Sequence, residues 1–169
     1  LLVSSAASDV YKRQVEDIAA EAILDGLPWD WTSYGGYLDS IQAMKPALNI
    51  VGLAGHSSIR FEAMGDKSMD EGVQADDREL AHIVKLVEES VAEGAVGFST
   101  SRFLPHTVPD GRCTPGTWAD LRETRAIQEA VIRAGGTGAI FQSANDFQTR
   151  YDTEIEMFEQ GADLGCQII

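Results

Sequence analysis

Four side chains that could bind a substrate stand just after apolar segments of this sequence. Ser101 and Arg102 follow the apolar run 95–98, and His106 lies in the Pro-rich loop that comes next. His56 follows a second apolar run, 48–54. A guanidinium binds a carboxylate through paired hydrogen bonds, while hydroxyl and imidazole groups can donate or accept one. We therefore predict that these four residues line a substrate pocket, with Arg102 as a carboxylate anchor.

Three of these residues also have a purely structural interpretation. His56 could be satisfied by local hydrogen bonds, Arg102 could bridge two loops, and His106 could belong to a surface loop. Two further reactive residue types are expected to be inert. His82 lies inside a helical pattern, where a solvated or packed histidine is the common case, and Cys113 is expected to be a passive loop thiol.

The elements that must position these residues alternate between helical patterns and short apolar runs. The runs start near residues 48, 94, 137 and 165, and amphipathic patterns occur at 15–24, 37–44, 80–91, 117–131 and 152–162. Such alternation predicts a parallel sheet with right-handed crossovers. Neither glycine motif of the common nucleotide-binding folds is present. The expected fold class is α/β, a partial TIM (β/α)8 barrel of about three to four βα units.

The first 14 residues do not fit this pattern. Residues 1–14 resemble translated sequencing-adapter sequence and contain no starting methionine, so we expect a non-native tail there. Their apolar run is too short for a signal peptide. We expect residues 15–169 to be a fragment of a longer barrel, because the apolar run at 166–169 looks like an unfinished strand. A complete small α/β binding domain is the other interpretation.

Composition narrows the classes of partner. The chain has 13 Lys and Arg against 27 Asp and Glu, a net charge of −14, which disfavours nucleic acid and anionic membrane surfaces. No apolar run approaches the roughly 18–20 residues of a membrane span. Cys113 and Cys166 form neither a disulfide framework nor a C-x-x-C motif, so a cytoplasmic location is expected. The sequence carries no signal for the oligomeric state.

The local motifs contain no metal site. The sequence has no His-x-His, no H-E-x-x-H and no Cys/His cluster, so we assign no metal ligand from spacing. It also lacks the G-x-S-x-G motif of a serine hydrolase, so no catalytic residue is assigned.

Several ordered segments resemble one known family. LPWDWTS at 27–33, NIVGLAGHSSIR at 49–60 and GAVGFSTSR at 94–102, followed by PDGR at 109–112, are similar to the D-aminoacylase (N-acyl-D-amino-acid deacylase) branch of the amidohydrolase superfamily. The resemblance runs in order from about residue 15 to residue 169. Agreement across several ordered segments is more specific than any single motif.

This resemblance implies a zinc-dependent TIM barrel that hydrolyses the amide bond of a small molecule. The family's metal ligands are a His-x-His after the first strand, a cysteine soon after, and histidines after the fifth and sixth strands; a catalytic aspartate follows the eighth. By order, this chain corresponds to the third, fourth and fifth strands and ends as the sixth begins. The resemblance therefore implies that the His-x-His, the cysteine, the histidine after the sixth strand and the catalytic aspartate lie outside residues 15–169, so zinc ligands of the intact enzyme are expected outside this chain.

One position departs from the family pattern. Where the resemblance implies a metal-binding histidine after the fifth strand, the chain has Gln142, with Asn145 close behind. Amide oxygens are poor zinc ligands beside imidazole and thiolate. Two functions stay open: a metal-dependent amidohydrolase of the D-amino-acid deacylase kind, and a non-catalytic barrel relative that acts as a binding or assembly module.

Overall fold

The computed structural model describes residues 25–26 and 28–169, as a regular alternation of strands and helices. The expected tail at 1–14 and the expected helix at 15–24 lie outside these residues. The helices are α1 (Tyr34–Ala43), α2 (His56–Met64), α3 (Asp77–Ala92), α4 (Leu121–Gly135) and α5 (Tyr151–Leu164). The strands are β1 (Ala54–Gly55), β2 (Gly97–Ser101), β3 (Ile140–Ala144) and β4 (Gln167–Ile168), and a 3-10 helix spans Gly65–Met69.

The four strands form one parallel sheet in chain order, β1-β2-β3-β4. Phe98 of β2 pairs with Ala54 on one side and with Phe141 on the other. Sequential order with a helix after each of the first three strands is the arrangement of a (β/α) barrel wall rather than of a doubly wound sheet, whose strand order reverses. The predicted α/β class with parallel strands is confirmed.

The core lies between this sheet and the helices. Phe98 and Phe141, both fully buried, stack with ring centroids 6.1 Å apart. The apolar stripes of α3 and α4 pack against them, as the 3.6-residue periodicity predicted. Their fully buried members include Ile83, Val87, Ile127 and Val131. Among the residues that the structure describes, no helix is both long enough and apolar enough to cross a bilayer.

The first strand is shorter than predicted. The apolar run 48–54 was expected to form a buried strand, but β1 contains only Ala54 and Gly55, and Leu48 and Val51 are exposed. Within the described residues β1 is at the edge of the sheet and has a partner on one side only. One more backbone bond, from Val96 N to Gly52 O at 3.0 Å, extends its pairing with β2. A parallel strand needs partners on both sides before a continuous apolar run is buried.

Helix α2 was not predicted. The segment after the apolar run looked like a polar strand end, yet a helix begins at His56 and ends at Met64. Gly65 follows as the C-cap, and its φ of +67° favours glycine. Its buried residues are His56, Ile59, Arg60 and Met64. The spacing is helical, but two of the four are polar, so an apolar periodicity does not reveal this helix.

Helix α3 begins with a reciprocal cap that supports a first testable prediction. Asp76 accepts hydrogen bonds from the backbone N–H groups of Arg78 and Glu79, and the Glu79 carboxylate accepts from Asp76 N. The backbone bonds lower the pKa of Asp76. We expect Asp76→Ala to lower the melting temperature of the intact protein by a few degrees, while Asp76→Asn, which keeps the acceptor, stays close to wild type. Thermal unfolding followed by circular dichroism measures this, and equal melting temperatures for both variants would contradict it.

Candidate functional site

The two faces of the sheet differ in what they carry. Phe98 and Thr100 of β2 point towards the helices, where Phe98 is in the core and Thr100 bonds to His56. By the alternation of a strand, Ser99 and Ser101 point to the opposite face. On that face Ser99 pairs in register with Gln142 of β3, whose side chain is exposed. We call this opposite face, carrying Ser99, Ser101, Gln142 and Gln167, the polar face.

A serine and a histidine meet at the carboxyl end of β2. Ser101 Oγ lies 2.6 Å from His106 Nδ1, so the two predicted residues form one hydrogen-bonded pair. Ser101 is the last residue of β2, and His106 stands in the loop that follows it. The ring of Phe103 packs edge-on against the imidazole, with centroids 5.3 Å apart. Such a pair offers a hydroxyl and an imidazole that can bind or exchange a proton with a polar group of a small molecule.

The loop that carries His106 is tied to the rest of the molecule. His106 O accepts a bond from Thr114 N at 3.0 Å, which fixes the two sides of the loop. At its tip, Arg112 forms ion pairs with Asp110 of the same loop, with Asp66 in the 3-10 helix and with Asp70 just after that helix. These bonds hold the Pro-rich segment as an ordered loop, so His106 is presented to Ser101 in a fixed position.

Arg102, the predicted carboxylate anchor, is bonded inside the protein. Its Nε donates to Glu154 Oε1 of α5 at 2.8 Å, and its Nη1 donates to Ala119 O at 2.5 Å. The side chain is only 2% exposed. Arg150 adds a bond to the Arg102 carbonyl and another to Thr117 O. Arg102 therefore joins β2 to α5 and to the loop before α4, as the structural interpretation of this residue anticipated in part.

His56 lies on the helix side of the sheet, 1% exposed. Its Nδ1 is 2.8 Å from Thr100 Oγ1, and its Nε2 is 2.8 Å from Glu123 Oε1 of α4. The Arg60 guanidinium reaches the same carboxylate, with its Nε 2.9 Å from Oε1. Gly116 packs against the His56 imidazole, and a Cβ atom at position 116 would lie 2.7 Å from His56 Nδ1. We call His56, Arg60, Thr100 and Glu123 the buried cluster.

The protonation of the buried cluster follows from its geometry. Burial lowers the pKa of His56, against the opposing effect of Glu123, so the imidazole is neutral near pH 7. Burial alone would raise the pKa of Glu123, but His56 and Arg60 together lower it. An ionised carboxylate only accepts, so Nε2 of His56 donates to Glu123 and Nδ1 accepts from the Thr100 hydroxyl. The charges that remain are those of Arg60 and Glu123.

The structure thus groups the four predicted residues into two kinds. Ser101 and His106 form a pair at the carboxyl end of β2, whereas His56 and Arg102 are bonded in the interior. Contact between a substrate and any of the four stays a prediction. Their partners Glu123 and Glu154 were missed. The signal was present: each carboxylate stands on the buried face of its helix, four residues before Ile127 and three before Met157.

The described residues do not form a metal site by themselves. Residues 25–26 and 28–169 contain no group of three His, Cys, Asp or Glu side chains placed to hold an ion. Cys113 and Cys166 are free thiols, and burial raises the pKa of both, which disfavours the thiolate form. His82 is exposed on α3, as predicted.

Comparisons with known proteins agree with the resemblance found in the sequence. The chain is 32% identical over 151 residues to an uncharacterized protein of Mycobacterium tuberculosis, covering 85% of this chain and 24% of that protein. It is 34% identical over 90 residues to a D-aminoacylase of Alcaligenes xylosoxydans xylosoxydans, covering 53% of this chain and 17% of that enzyme. No protein-family model matches the chain.

A solved structure shares the fold. The crystal structure of a D-aminoacylase, described as defining a novel subset of amidohydrolases, superposes with a TM-score of 0.64 at 23% sequence identity, covering 83% of this chain and 27% of that one. The predicted partial barrel is therefore confirmed at the level of fold. The chain spans between 17% and 27% of the length of these relatives, and 24% of the mycobacterial protein.

Proposed function

We propose that this chain, which resembles the D-aminoacylase branch of the amidohydrolases in sequence and in fold, is part of an enzyme that hydrolyses a non-peptide carbon–nitrogen bond. The observation that carries the proposal is the Ser101–His106 pair, 2.6 Å apart at the carboxyl end of β2. Barrel enzymes bind their substrates at that end of the strands. The proposed substrate is a small N-acylated D-amino acid.

In this proposal Ser101 and His106 bind the polar part of the substrate directly. His56 and Arg102 support the site from behind, because their hydrogen bonds hold β2 against α4 and α5. Zinc in the intact enzyme would be held by residues outside this chain, as the resemblance implies. The proposed location, the cytoplasm, rests on two cysteines that are both free thiols.

The test uses the full-length protein and two matched histidine variants. Release of the free amino acid is measured with N-acetyl-D-amino acids, with their L enantiomers and with neutral amides of the same acyl group. We expect hydrolysis of the D substrates, and we expect His106→Ala to lower kcat/KM by about 10-fold or more because it removes a positioned polar group. His82→Ala, an exposed histidine on α3, serves as the control and should leave kcat/KM unchanged.

Two results would count against this proposal. If the full-length protein hydrolyses none of the N-acyl amino acids, the proposed enzymatic function is rejected. An effect of His106→Ala no larger than that of His82→Ala would remove His106 from the site.

A second function is kept because of Gln142. An exposed amide stands on β3 where the resemblance implies a metal-binding histidine. This observation favours a non-catalytic relative that binds a small molecule or acts in assembly. Tight binding of an N-acyl-D-amino acid without turnover, by a full-length protein that contains no zinc, would support this function.

A further inference from the structure

The loop between β2 and α4 folds back on itself as a small hairpin. At its base, Thr114 N donates a hydrogen bond to His106 O at 3.0 Å, and nearer the tip Val108 N donates to Arg112 O at 2.7 Å. Because these bonds join the two arms, a displacement of one arm moves the other. The position of His106, on the first arm, therefore depends on what holds the second arm.

Arg112 ties the tip of this hairpin to the unit that follows β1. Its Nη2 lies 2.8 Å from Asp66 Oδ1, and its Nη1 lies 3.1 Å from Asp70 Oδ1. Asp110, in the turn of the hairpin itself, is 2.8 Å from Nη2. Hydrogen bonding to Arg112 lowers the pKa of both Asp66 and Asp110. We call Arg112 together with Asp66, Asp70 and Asp110 the loop clamp.

The part of the molecule that receives Arg112 is held firmly in place. Asp66 lies in the 3-10 helix, and Asp70 comes just after it. Ser68 of the same helix is fully buried, and its carbonyl accepts a hydrogen bond from the Arg60 guanidinium of the buried cluster. The two aspartates are thus fixed relative to the core, and through them Arg112 is fixed as well.

The two ends of the hairpin are held by different kinds of bond. At the base, Thr114 and Thr117 are fully buried, and Thr117 N donates to Thr114 O at 3.1 Å. At the tip, the side chains of Asp66, Asp70 and Asp110 are 77%, 47% and 52% exposed. Salt screens exposed charges and has little effect on buried groups. High salt should therefore release the tip of the hairpin and leave its base in place.

We propose that Arg112 is a positioning residue: through the hairpin and the loop clamp it holds His106 against Ser101, and this position is sensitive to ionic strength. The effect of Arg112 on catalysis rests on the proposed function, whereas its effect on the order of the loop does not. The two effects are therefore measured separately.

Hydrogen exchange of the full-length protein, followed by mass spectrometry of its peptides, tests the order of the loop. The amides of Val108 and Thr114 are bonded within the hairpin. We expect them to exchange about 10-fold faster in Arg112→Ala, and in wild type when NaCl rises from about 0.05 M to about 1 M. Arg122→Ala is the matched control, because Arg122 forms an exposed ion pair with Asp77 that joins α4 to α3. It should leave both amides unchanged.

Kinetics of the full-length protein test the positioning of His106. We expect Arg112→Ala to lower kcat/KM for N-acetyl-D-amino acids by about 3- to 10-fold, and Arg122→Ala to leave it unchanged. A double-mutant cycle with His106→Ala should be strongly non-additive, because Arg112 has nothing left to position once the imidazole is removed. A general loss of folding would instead lower activity by the same factor in both backgrounds, and melting curves verify that each variant is folded.

Several outcomes would overturn the proposal: unchanged exchange in Arg112→Ala, an equal change in Arg122→Ala, no response of wild type to salt, or additive effects of Arg112→Ala and His106→Ala. Faster exchange in a protein that hydrolyses no amide would support the loop clamp, but it would reject the proposed function and with it the effect of Arg112 on catalysis. Hydrolysis by a protein whose loop does not respond to Arg112→Ala would support the function and reject the clamp.

Discussion

Glu123→Gln in the full-length protein is expected to lower the free energy of unfolding by about 3–5 kcal/mol, because it leaves a buried guanidinium without a counter-charge. Arg60 is 0% exposed, and its Nε lies 2.9 and 3.2 Å from the two oxygens of Glu123. Its other partners are the carbonyls of Ser68 and Val73, which carry no net charge. Glutamine keeps the volume of the side chain, so the expected loss comes from charge and not from a cavity.

The matched control is Glu129→Gln on the same helix. Glu129 forms an ion pair with Arg125, but their side chains are 41% and 52% exposed. Solvent screens such a pair, so its loss should change the free energy of unfolding by less than about 0.5 kcal/mol. Urea titration at pH 7, followed by circular dichroism, measures both variants. Similar small effects for the two variants would show that Arg60 and Glu123 do not depend on each other.

The pH dependence gives a second readout of the same cluster. The pKa of Glu123 is lowered in the folded protein. The stability that its carboxylate contributes is therefore fully present above the usual carboxyl pKa and is lost as the pH falls through the folded pKa. Burial lowers the pKa of the His56 imidazole, so the unfolded chain takes up this proton first. The folded state therefore also loses stability as the pH falls below the ordinary imidazole pKa. The difference in stability between wild type and Glu123→Gln should therefore become smaller on acidification.

The sequence predicted the helices better than it predicted the strands. The stripe through Ile83 and Val87 is apolar and regular, and the helix that it predicted is present as α3. The prediction of a strand over 48–54 was too long, because an apolar run does not reveal whether a strand has a neighbour on each side. Helix α2 was missed because its buried face includes the charged Arg60, whose partner Glu123 lies 63 residues away.

The candidate site shows the same limit. Ser101 and His106 are close in sequence, and the end of a strand followed by a loop was enough to place them together. The direction of a side chain is harder to predict, because a shift of one residue in a strand moves it to the other face. The sequence placed Arg102 at the end of a strand and predicted that its side chain lines a pocket, whereas β2 continues to Ser101 and the Arg102 side chain bonds to Glu154 of α5.

Arg102→Ala should consequently affect the whole protein and not only the recognition of a carboxylate. The guanidinium is 2% exposed and bonds to Glu154 and to Ala119 O. Its removal leaves the fully buried Glu154 carboxylate with Arg150 as the remaining nearby cation, 3.9 Å away. We expect a loss of about 3–5 kcal/mol in the free energy of unfolding. Arg133→Ala, an exposed arginine on α4 with 58% of its side chain accessible, is the control and should have little effect.

Enzyme kinetics separate this structural role from the anchoring role predicted from the sequence. Below the melting temperature of the variant, we expect Arg102→Ala to reduce kcat/KM by similar factors for N-acetyl-D-amino acids and for neutral amides, because the guanidinium is already bonded to Glu154 and to Ala119 O. Glu154→Gln should restore part of the stability when combined with Arg102→Ala, since it removes the unpaired charge. A rise in KM confined to carboxylate substrates, with no change in stability, would instead establish Arg102 as a carboxylate anchor and require its side chain to leave Glu154 when substrate binds.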